Sequence, residues 1–508
     1  MDSEQLRVWG KKMVDLVADY WDTLRDRKPL HDVTPGYIWD RVEKEPPQEP
    51  ESWDKVLADL ESVVLSANTH WHHPHFFAYY PTACSYPAIV ADILAGGISS
   101  IGFTWNSSPA CTELEMVMLD WLASMLHLPD HFLNSDPGYG AGMIQGTASE
   151  ATYVAMLAAK KRAQLKFKAE NRNTELSFFR NWSRIAINRL YQLMTRDWSN
   201  WEAGDIITYP RLVAYCSEQA HSSVEKAALM SGVTVRKLKV SKEQQYSLKG
   251  ATLAEAIEAD LYSGLVPFFV VATVGATSCC AIDELKSLGP VCQKYGVWLH
   301  IDAAYAGSAA VCPEYQFILD GVQFADSFNF NPHKWLMINF DCSALWFRDS
   351  REVEKAFTEE SVYLKHDHQQ ASVPDYKNWQ IPLGRRFRAL KIWFVLRTMG
   401  VSALQENIRT QCRLAKEFGK LVSVDDRFEL VLPTKFGLVC FRLKGDNSLT
   451  EQLLKAINAD RRIHLVPAQI DDTYFLRFAI CSTKTHSADV NFAWQVIKHL
   501  TADLIVQV

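Results

Sequence analysis

Lys334 sits in Asn331-Pro332-His333-Lys334-Trp335, directly after the alternating, aromatic-rich run Ala325-Asp326-Ser327-Phe328-Asn329-Phe330, which reads as a buried strand. Most lysines bury only the methylene stem and keep the ammonium in water. A lysine just past a buried strand, among Asn, Pro, His and Trp, is poorly placed to do so. Desolvation lowers its pKa toward what Schiff-base chemistry with an aldehyde requires. A second stretch, Val297-Trp298-Leu299-His300-Ile301-Asp302-Ala303-Ala304, ends a strand in an aspartate 32 positions before that lysine, followed by small residues. An acid at one strand end, a lysine at the next and small residues between suit pyridoxal phosphate. The acid keeps the pyridinium nitrogen protonated, the lysine binds the aldehyde, and the small residues let the ring lie close.

Such a cofactor also needs its phosphate held and its ring covered. Gly138-Tyr139-Gly140-Ala141-Gly142 gives way to Gly146-Thr147-Ala148-Ser149-Glu150, just before a helical pattern from Ala151 to Lys161. Small and hydroxyl residues at a helix start leave backbone N–H groups free at the positive end of the dipole, a seat for phosphate. Thr or Ser there is also an ordinary N-cap; beside a candidate Schiff-base lysine, Thr147, Ala148 and Ser149 become a candidate phosphate cup. His221, in Gln219-Ala220-His221-Ser222-Ser223, is either a cap at a strand-to-helix turn or a ring that stacks on the cofactor. Thr277 and Asp283 follow the apolar strand Phe268 to Thr273. Tyr363 lies in a polar stretch, 361–374, that reads as a loop able to close over a site; it is an acid candidate or an anchoring tyrosine. His72, His73 and His75 lie in the aromatic stretch Trp71 to Thr82, where no carboxylate or cysteine completes a metal-ligand spacing. That stretch reads as the wall of a small-molecule pocket, with plain core aromatics as the alternative.

The elements that must carry these residues alternate. Strand patterns at Leu212 to Ser217, Val233 to Val240, Phe268 to Thr273 and before Asp302 are separated by helical ones such as Leu285 to Tyr295, which indicates βα units and a largely parallel sheet. Ligands of such sheets sit beyond the strand carboxyl ends, where Thr277, Asp302 and Lys334 fall. Upstream, Tyr86 to Leu128 is helical, broken by Gly96-Gly97 and by the run from Gly102 to Pro109; before it, Glu4 to Leu24 and Trp53 to Leu65 are helical. The arm they form packs on its own subunit or on a dimer partner. Downstream, a helix ending at Met399 and further helices (Val401 to Val422, Leu449 to Asp460) alternate with strands (Leu438 to Leu443, Tyr474 to Ile480), as in a smaller α+β domain. The expected division is an arm (1–85), a large α/β domain (86–380) and a small C-terminal domain (381–508). The segment from Leu165 to Pro210 is charged, insertion-like and without an assigned chemical role.

At 508 residues and 48% hydrophobic, the chain can bury a large core. A net charge of −6 without a long basic run excludes nucleic acid as the expected partner. The apolar run from Leu265 to Ala276 is too short to span a bilayer as a helix, so no membrane is expected either. Eleven scattered cysteines, with no CxxC pair, and a charged opening helix suggest reduced thiols in a cytoplasmic protein.

Asn331-Pro332-His333-Lys334-Trp335, His300-Ile301-Asp302-Ala303-Ala304-Tyr305-Ala306-Gly307, Gln219-Ala220-His221-Ser222-Ser223 and Phe103-Thr104-Trp105 together resemble the group II pyridoxal-phosphate-dependent decarboxylases, on the side that acts on aromatic amino acids. The likeness covers nearly the whole chain. It implies fold type I, with an N-terminal arm, a large seven-stranded α/β domain and a small C-terminal domain, assembled as a homodimer. By position, Lys334 resembles the Schiff-base lysine and Asp302 the partner of the ring nitrogen. Ala304 and His221 resemble the residues that sandwich the ring, and Thr147, Ala148, Ser149, Asn331 and His333 the phosphate anchors. Thr277 and Asp283 fall where the family contacts its cofactor. Tyr79, Tyr80, Pro81 and Thr82 match the substrate pocket, Ile101 and Phe103 residues lent by the neighbouring subunit, and Arg386 an active-site arginine. Tyr363 resembles the loop tyrosine that returns a proton to the substrate carbon. The implied reaction turns an aromatic L-amino acid (L-dopa, 5-hydroxytryptophan, tyrosine or tryptophan) into its amine and carbon dioxide. The alternatives are an aromatic aldehyde synthase or a histidine decarboxylase. Tyr363 and His221 favour simple decarboxylation, and Gly384, where histidine decarboxylases tend to carry serine, leaves room for a phenol, catechol or indole. The chain departs from the family at Tyr80, where phenylalanine is common, at Asn106, where a small residue is frequent, and at Ala276, where threonine is frequent.

Overall fold

The computed structural model describes residues 1–173, 211–358 and 373–506. Seven strands, β1 (Ala141–Gln145), β2 (Leu212–Ser217), β3 (Thr234–Leu238), β4 (Val266–Thr273), β5 (Trp298–Asp302), β6 (Ser327–Phe330) and β7 (Ser343–Phe347), form one sheet in the order β1-β7-β6-β5-β4-β2-β3. Pairing from β6 through β5, β4 and β2 to β3 is parallel, and β7 runs antiparallel to both β6 and β1. The fold is the α/β, mostly parallel architecture expected. Helices cover both faces of the sheet, so its inner strands have no solvent side and read as continuous apolar runs.

The two faces separate residue by residue. Along β2, Val213 and Tyr215 join the core beneath Leu253, Ile257 and Leu288, while Leu212, Ala214 and Cys216 join a second core beneath Ala151, Val154 and Ala158. This is the period of two of a strand expressed as two layers. The first layer is roofed by helices Gly250–Tyr262 and Leu285–Tyr295, the second by Ala148–Asn173 and Ser223–Ser231. In register, Thr273 lies opposite Asp302 and Asp302 opposite Asn329, so three strands deliver their carboxyl ends to one edge.

A four-stranded antiparallel sheet follows: β8 (Phe428–Leu430), β9 (Leu438–Leu443), β10 (Val466–Ile470) and β11 (Thr473–Ala479), ordered β10-β11-β9-β8. Its core stacks Phe418 on Phe478 at 3.6 Å, and Phe77 on Phe478 at 4.0 Å. Phe77 comes from the N-terminal region and is pinned there by backbone bonds with His464 and Ala479. The aromatic stretch is thus largely core: Phe76 and Phe77 are fully buried, whereas Tyr79 is exposed. Helices Ser3–Asp22 and Trp53–Val63 bury only Trp21 and leave Leu6, Val8, Val14, Trp53 and Val56 exposed.

Gly96 and Gly97 lie in the last turn of helix Tyr86–Ile98, which stops at Ser99 (φ 52°), and the next helix begins at Pro109, past the expected break from Gly102 to Pro109. The helices expected to end at Met399 and to run from Val401 to Val422 are both present within Ala389–Val424, separated by the non-helical backbone of Gly400 (φ 71°). Strands β1, β7, β8 and β10 have no counterpart in the sequence reading. Residues 174–210 and 359–372 lie outside the described residues, and with them most of the insertion-like segment and the candidate loop carrying Tyr363. Among the described residues no helix is long and apolar enough to cross a membrane.

Candidate active site

Lys334 belongs to a four-residue turn of helix, Pro332–Trp335, that is clamped on all sides. The Asn331 side chain accepts a hydrogen bond from the Ser343 hydroxyl at 2.7 Å. His333 accepts the Cys342 N–H on Nδ1 at 2.9 Å, and its carbonyl takes the Ala83 N–H at 2.6 Å. Trp335 is buried, stacks on Tyr305 at 4.7 Å and donates its indole N–H to Gln411 at 2.7 Å. These anchors leave only the lysine side chain free to project. Its ammonium donates to no described residue and stands over the Tyr80 ring, 5.7 Å from the centroid. Burial pulls Lys334 below its ordinary pKa, Asp302 pushes it back up, and the charge of Arg477 pulls it down again.

Asp302 ends β5 and is buried. One carboxylate oxygen takes the Ala304 N–H at 3.0 Å, which fixes the small-residue turn against it; the other has no partner among the described residues. His221 accepts the Ser223 N–H on Nδ1 at 3.1 Å, just before helix Ser223–Ser231, and lines a cleft with Thr277 and Arg477. Partial burial lowers its pKa, Asp302 raises it and Lys334 lowers it, which places all three groups in one electrostatic neighbourhood.

Helix Ala148–Asn173 starts at the end of β1. Thr147 is its N-cap, accepting the Glu150 N–H at 3.2 Å, and the Glu150 carboxylate accepts the N–H of the preceding residue, Gly146, at 3.0 Å. The N–H groups of Ala148 and Ser149 have no partner among the described residues. Gln145 pairs with Ser343, whose hydroxyl holds Asn331, so the helix start lies beside the lysine turn. A Cβ on Gly146 would crowd both the Glu150 and the Asp341 carboxylates, at 3.1 and 3.3 Å.

Among the other expected residues, Ala304 is buried beside Asp302, and Thr277 is exposed on the turn after β4. Asp283 spends both oxygens on backbone, taking the Leu248 N–H at 2.8 Å and the Thr273 N–H at 2.7 Å. It therefore braces the end of β4 next to Asp302. Tyr80 is buried and donates its hydroxyl to the Ala276 carbonyl at 3.0 Å, so two departures from the family pattern touch each other. Pro81 is buried and Thr82 partly buried beside it. Ile101, Phe103, Gly384 and Arg386 form a separate group. Gly102 donates to the Arg385 carbonyl, Lys377 to that of Phe103, and a Cβ on Gly384 would sit 3.7 Å from Ile101. Ile101 and Arg386 line a cleft of ≈ 280 Å³ that also includes Asp341, whose carboxylate lies beside Gly146.

One residue was missed. Arg477 of β11 is buried, donates to the Tyr79 carbonyl at 3.0 Å and lies 4.9 Å over the Tyr80 ring. A lone charge inside the apolar run Phe475-Leu476-Arg477-Phe478 was the available signal.

The Pyridoxal-dependent decarboxylase conserved domain matches residues 35–179 and 190–444. The chain belongs to this family. It is 49% identical over 506 residues to the aromatic-L-amino-acid decarboxylase of Rattus norvegicus, covering 99% of each chain. Among solved structures it is similar to Oryza sativa TDC with PLP and tryptamine (TM-score 0.89, 36% identity, 99% of each chain). It is also similar to Rhodiola rosea 4-hydroxyphenylacetaldehyde synthase (TM-score 0.86, 36% identity, 99% of each chain). As a pyridoxal-dependent decarboxylase it takes pyridoxal phosphate, and the residues present fit that group. An amine without a partner, a carboxylate oxygen without a partner and two free N–H groups at a helix start lie together at one sheet edge, matching aldehyde, ring nitrogen and phosphate.

Proposed function

We infer that this chain catalyses the pyridoxal-phosphate-dependent decarboxylation of an aromatic L-amino acid to its amine and carbon dioxide. The observation that carries the reading is the buried Lys334 amine, without a hydrogen-bond partner among the described residues, in the electrostatic neighbourhood of the Asp302 carboxylate. Near-full-length identity of about one half to curated aromatic-L-amino-acid decarboxylases supports the substrate class. Bound pyridoxal phosphate supplies an aldehyde for the substrate amine and an electron-poor ring that takes up the electron pair left behind by carbon dioxide.

The protein's share is placement and charge. Lys334 would hold the cofactor aldehyde until the substrate amine displaces it, a task eased by its lowered basicity. Asp302 would keep the ring nitrogen protonated, with Ala304 beneath the ring and His221 above it. Thr147, Ala148, Ser149, Asn331 and His333 would seat the phosphate, with Thr277 at the rim and Asp283 bracing β4. Tyr79, Tyr80, Pro81 and Thr82 would line the substrate pocket. Tyr363 would donate its hydroxyl proton to the substrate carbon. Gly384 and Arg386 would line the substrate site, and Ile101 and Phe103 would reach the site of a second copy in a homodimer. The exposed apolar residues of helices Ser3–Asp22 and Trp53–Val63 suit that assembly. The division 1–85, 86–380 and 381–508 is proposed on the same footing, since the large sheet ends at Phe347 and the small one begins at Phe428. Eleven unpaired cysteines, ten of them buried, support a reducing, cytoplasmic location.

The test is to incubate the reconstituted protein with a panel of aromatic amino acids and follow carbon dioxide, amine, aldehyde and peroxide. Amine in step with carbon dioxide is expected; aldehyde and peroxide in its place would assign the aldehyde-synthase reading, which similarity to the Rhodiola rosea enzyme keeps open. Tyr363→Phe is expected to retain substrate binding while diverting product from amine to aldehyde, and an unchanged amine yield would defeat the role given to Tyr363.

A further inference from the structure

Trp298, His300 and Asp302 alternate along β5 onto one face of the sheet, the face covered by helix Ala148–Asn173. In register, His300 lies opposite Ser327, and Asp302 lies between Thr273 and Asn329. All six are buried. Three of them keep a side-chain polar atom with no hydrogen-bond partner among the described residues: Nε2 of His300, Oγ1 of Thr273 and Oδ1 of Asn329. Buried polar atoms are rarely left so, and each needs a reason.

Elimination assigns the hydrogens. The Trp298 indole has only an N–H to give, and it gives it to the Ser327 hydroxyl at 2.8 Å. Ser327 Oγ is also 2.8 Å from His300 Nδ1, the one acceptor open to its own hydrogen among the described residues. Ser327 therefore donates to Nδ1, and the neutral ring carries its proton on Nε2. The partnerless His300 atom is a donor. Asn329 commits its amide hydrogens to the Ser343 hydroxyl and the Ala344 carbonyl, each at 2.8 Å, so it leaves only an acceptor. A buried N–H and a carboxylate with spare lone pairs thus stand two residues apart on one face, roughly 6.5 Å along the strand. An imidazole and a carboxylate close that gap directly or through one water. Burial lowers the His300 pKa to about 4 and the Asp302 charge pushes it back up, so the two groups share one field.

We propose that His300 is a positioning residue for Asp302: its Nε2–H is directed at the Asp302 carboxylate and keeps that carboxylate ionised when the cofactor ring is bound. The proposal rests on the decarboxylase reading above. A carboxylate facing a ring nitrogen either leaves the proton on the nitrogen or takes it back, and only the first keeps the ring electron-poor. An N–H donated to the carboxylate stabilises its charged form and makes it a weaker base. The proton then stays on the ring nitrogen. Without that donor it moves to the Asp302 oxygen, and no other bond changes. His300 touches neither substrate nor cofactor; it sets where one proton sits.

The experiment compares wild type, His300→Leu and His300→Gln as holoenzymes reconstituted with pyridoxal phosphate carrying nitrogen-15 in its ring. The ring nitrogen of wild type should resonate as a pyridinium, and that of His300→Leu should move toward neutral pyridine. His300→Gln, whose amide nitrogen reaches about as far as Nε2, should stay close to wild type. With L-dopa as probe, His300→Leu should lower kcat roughly ten- to a hundredfold, as expected for a lost charge-assisted hydrogen bond. Its KM should hold within about threefold, because ground-state binding is untouched. His300→Gln should recover most of kcat. If the ring nitrogen of His300→Leu resonates as in wild type while kcat or stability falls, His300 only fills the core and the proposal is overturned. It is equally overturned if His300→Gln does no better than His300→Leu. Should His300→Leu not fold, the wild-type imidazole decides: in holoenzyme with nitrogen-15 histidine, His300, assigned by its loss in His300→Gln, should carry its proton on Nε2, and a proton on Nδ1 rejects the proposal. Wild-type release of amine and carbon dioxide reads the decarboxylase assignment separately, so failure of one is distinguishable from failure of the other.

Discussion

A carboxylate that faces a lysine can serve it in two ways, by pairing with it or by acting on a common ligand. Asp302 and Lys334 are electrostatically coupled but form no ion pair, and each keeps a polar atom without a partner. The second role follows: the pair is held apart, ready for a group that fits between. Asp302→Asn preserves shape and the Ala304 contact but cannot hold a proton on the ring nitrogen. We expect it to keep the cofactor bound through Lys334 and the helix start, visible as retained absorbance and a borohydride-stable adduct, and to lower kcat by about two to three orders of magnitude. Normal turnover with the adduct intact would remove Asp302 from its role. At this scale the sequence was most legible where function sits at strand ends. Lys334, Asp302 and His221 stand out because a polar residue just past an apolar run needs a reason. Arg477 lies within a strand, where the neighbouring apolar residues set the pattern and mask it.

Strands with two covered faces carry no alternation, which is why β2, β4 and β5 were readable as apolar runs and β1, β7, β8 and β10 were not. β1 (Ala141–Gln145) contains a glycine that lets the Trp346 ring approach, a feature of packing invisible in the local pattern. β7 reverses direction between β6 and β1, so no crossover helix announces it. β8 has three residues, and β10 carries Pro467, tolerated because β10 is an edge strand. What holds β1 to the chain beyond is a fully buried ion pair. Glu115 of helix Pro109–Met125 accepts the Ile144 N–H at 2.7 Å and pairs with Arg385, which also donates to Gln380 at 2.7 Å. Glu115→Ala strands the Arg385 charge in the core and is expected to destabilise the protein by about 3–5 kcal/mol. The Glu115→Met, Arg385→Met double variant should recover most of that loss. Urea unfolding midpoints of wild type, Glu115→Ala and the double variant make the comparison; a double variant as unstable as the single one would mean that backbone contacts, not the unpaired charge, set the cost.

Across the molecule, histidines link fold to pH in the same direction. Burial depresses His70, His72, His73, His300 and His464 to about 4, and His333 to about 3. They are spread from the N-terminal region through the large sheet to the small domain, so no part of the fold is spared. Each remains neutral in the folded chain while its unfolded counterpart binds a proton below about 6.5. The unfolded state therefore holds more protons in that window, and stability, complete above pH 6.5, is lost as pH falls toward 4. Asp283 opposes this: burial raises it to about 7, so its contribution is present at low pH and fades as pH rises from the ordinary carboxylate range. One group against six leaves the histidine sign dominant. Urea midpoints of the cofactor-free protein should fall continuously from pH 6.5 to 4.5. His300 gives the cleanest single test, being fully buried with its Nδ1 bonded to the Ser327 hydroxyl at 2.8 Å and its Nε2 unpaired. His300→Gln removes one titrating group, so whatever its stability at neutral pH, its slope between pH 6 and 5 should be shallower by about 1.4 kcal/mol per pH unit. An unaltered slope would mean that the buried imidazole takes up its proton without unfolding the sheet around it.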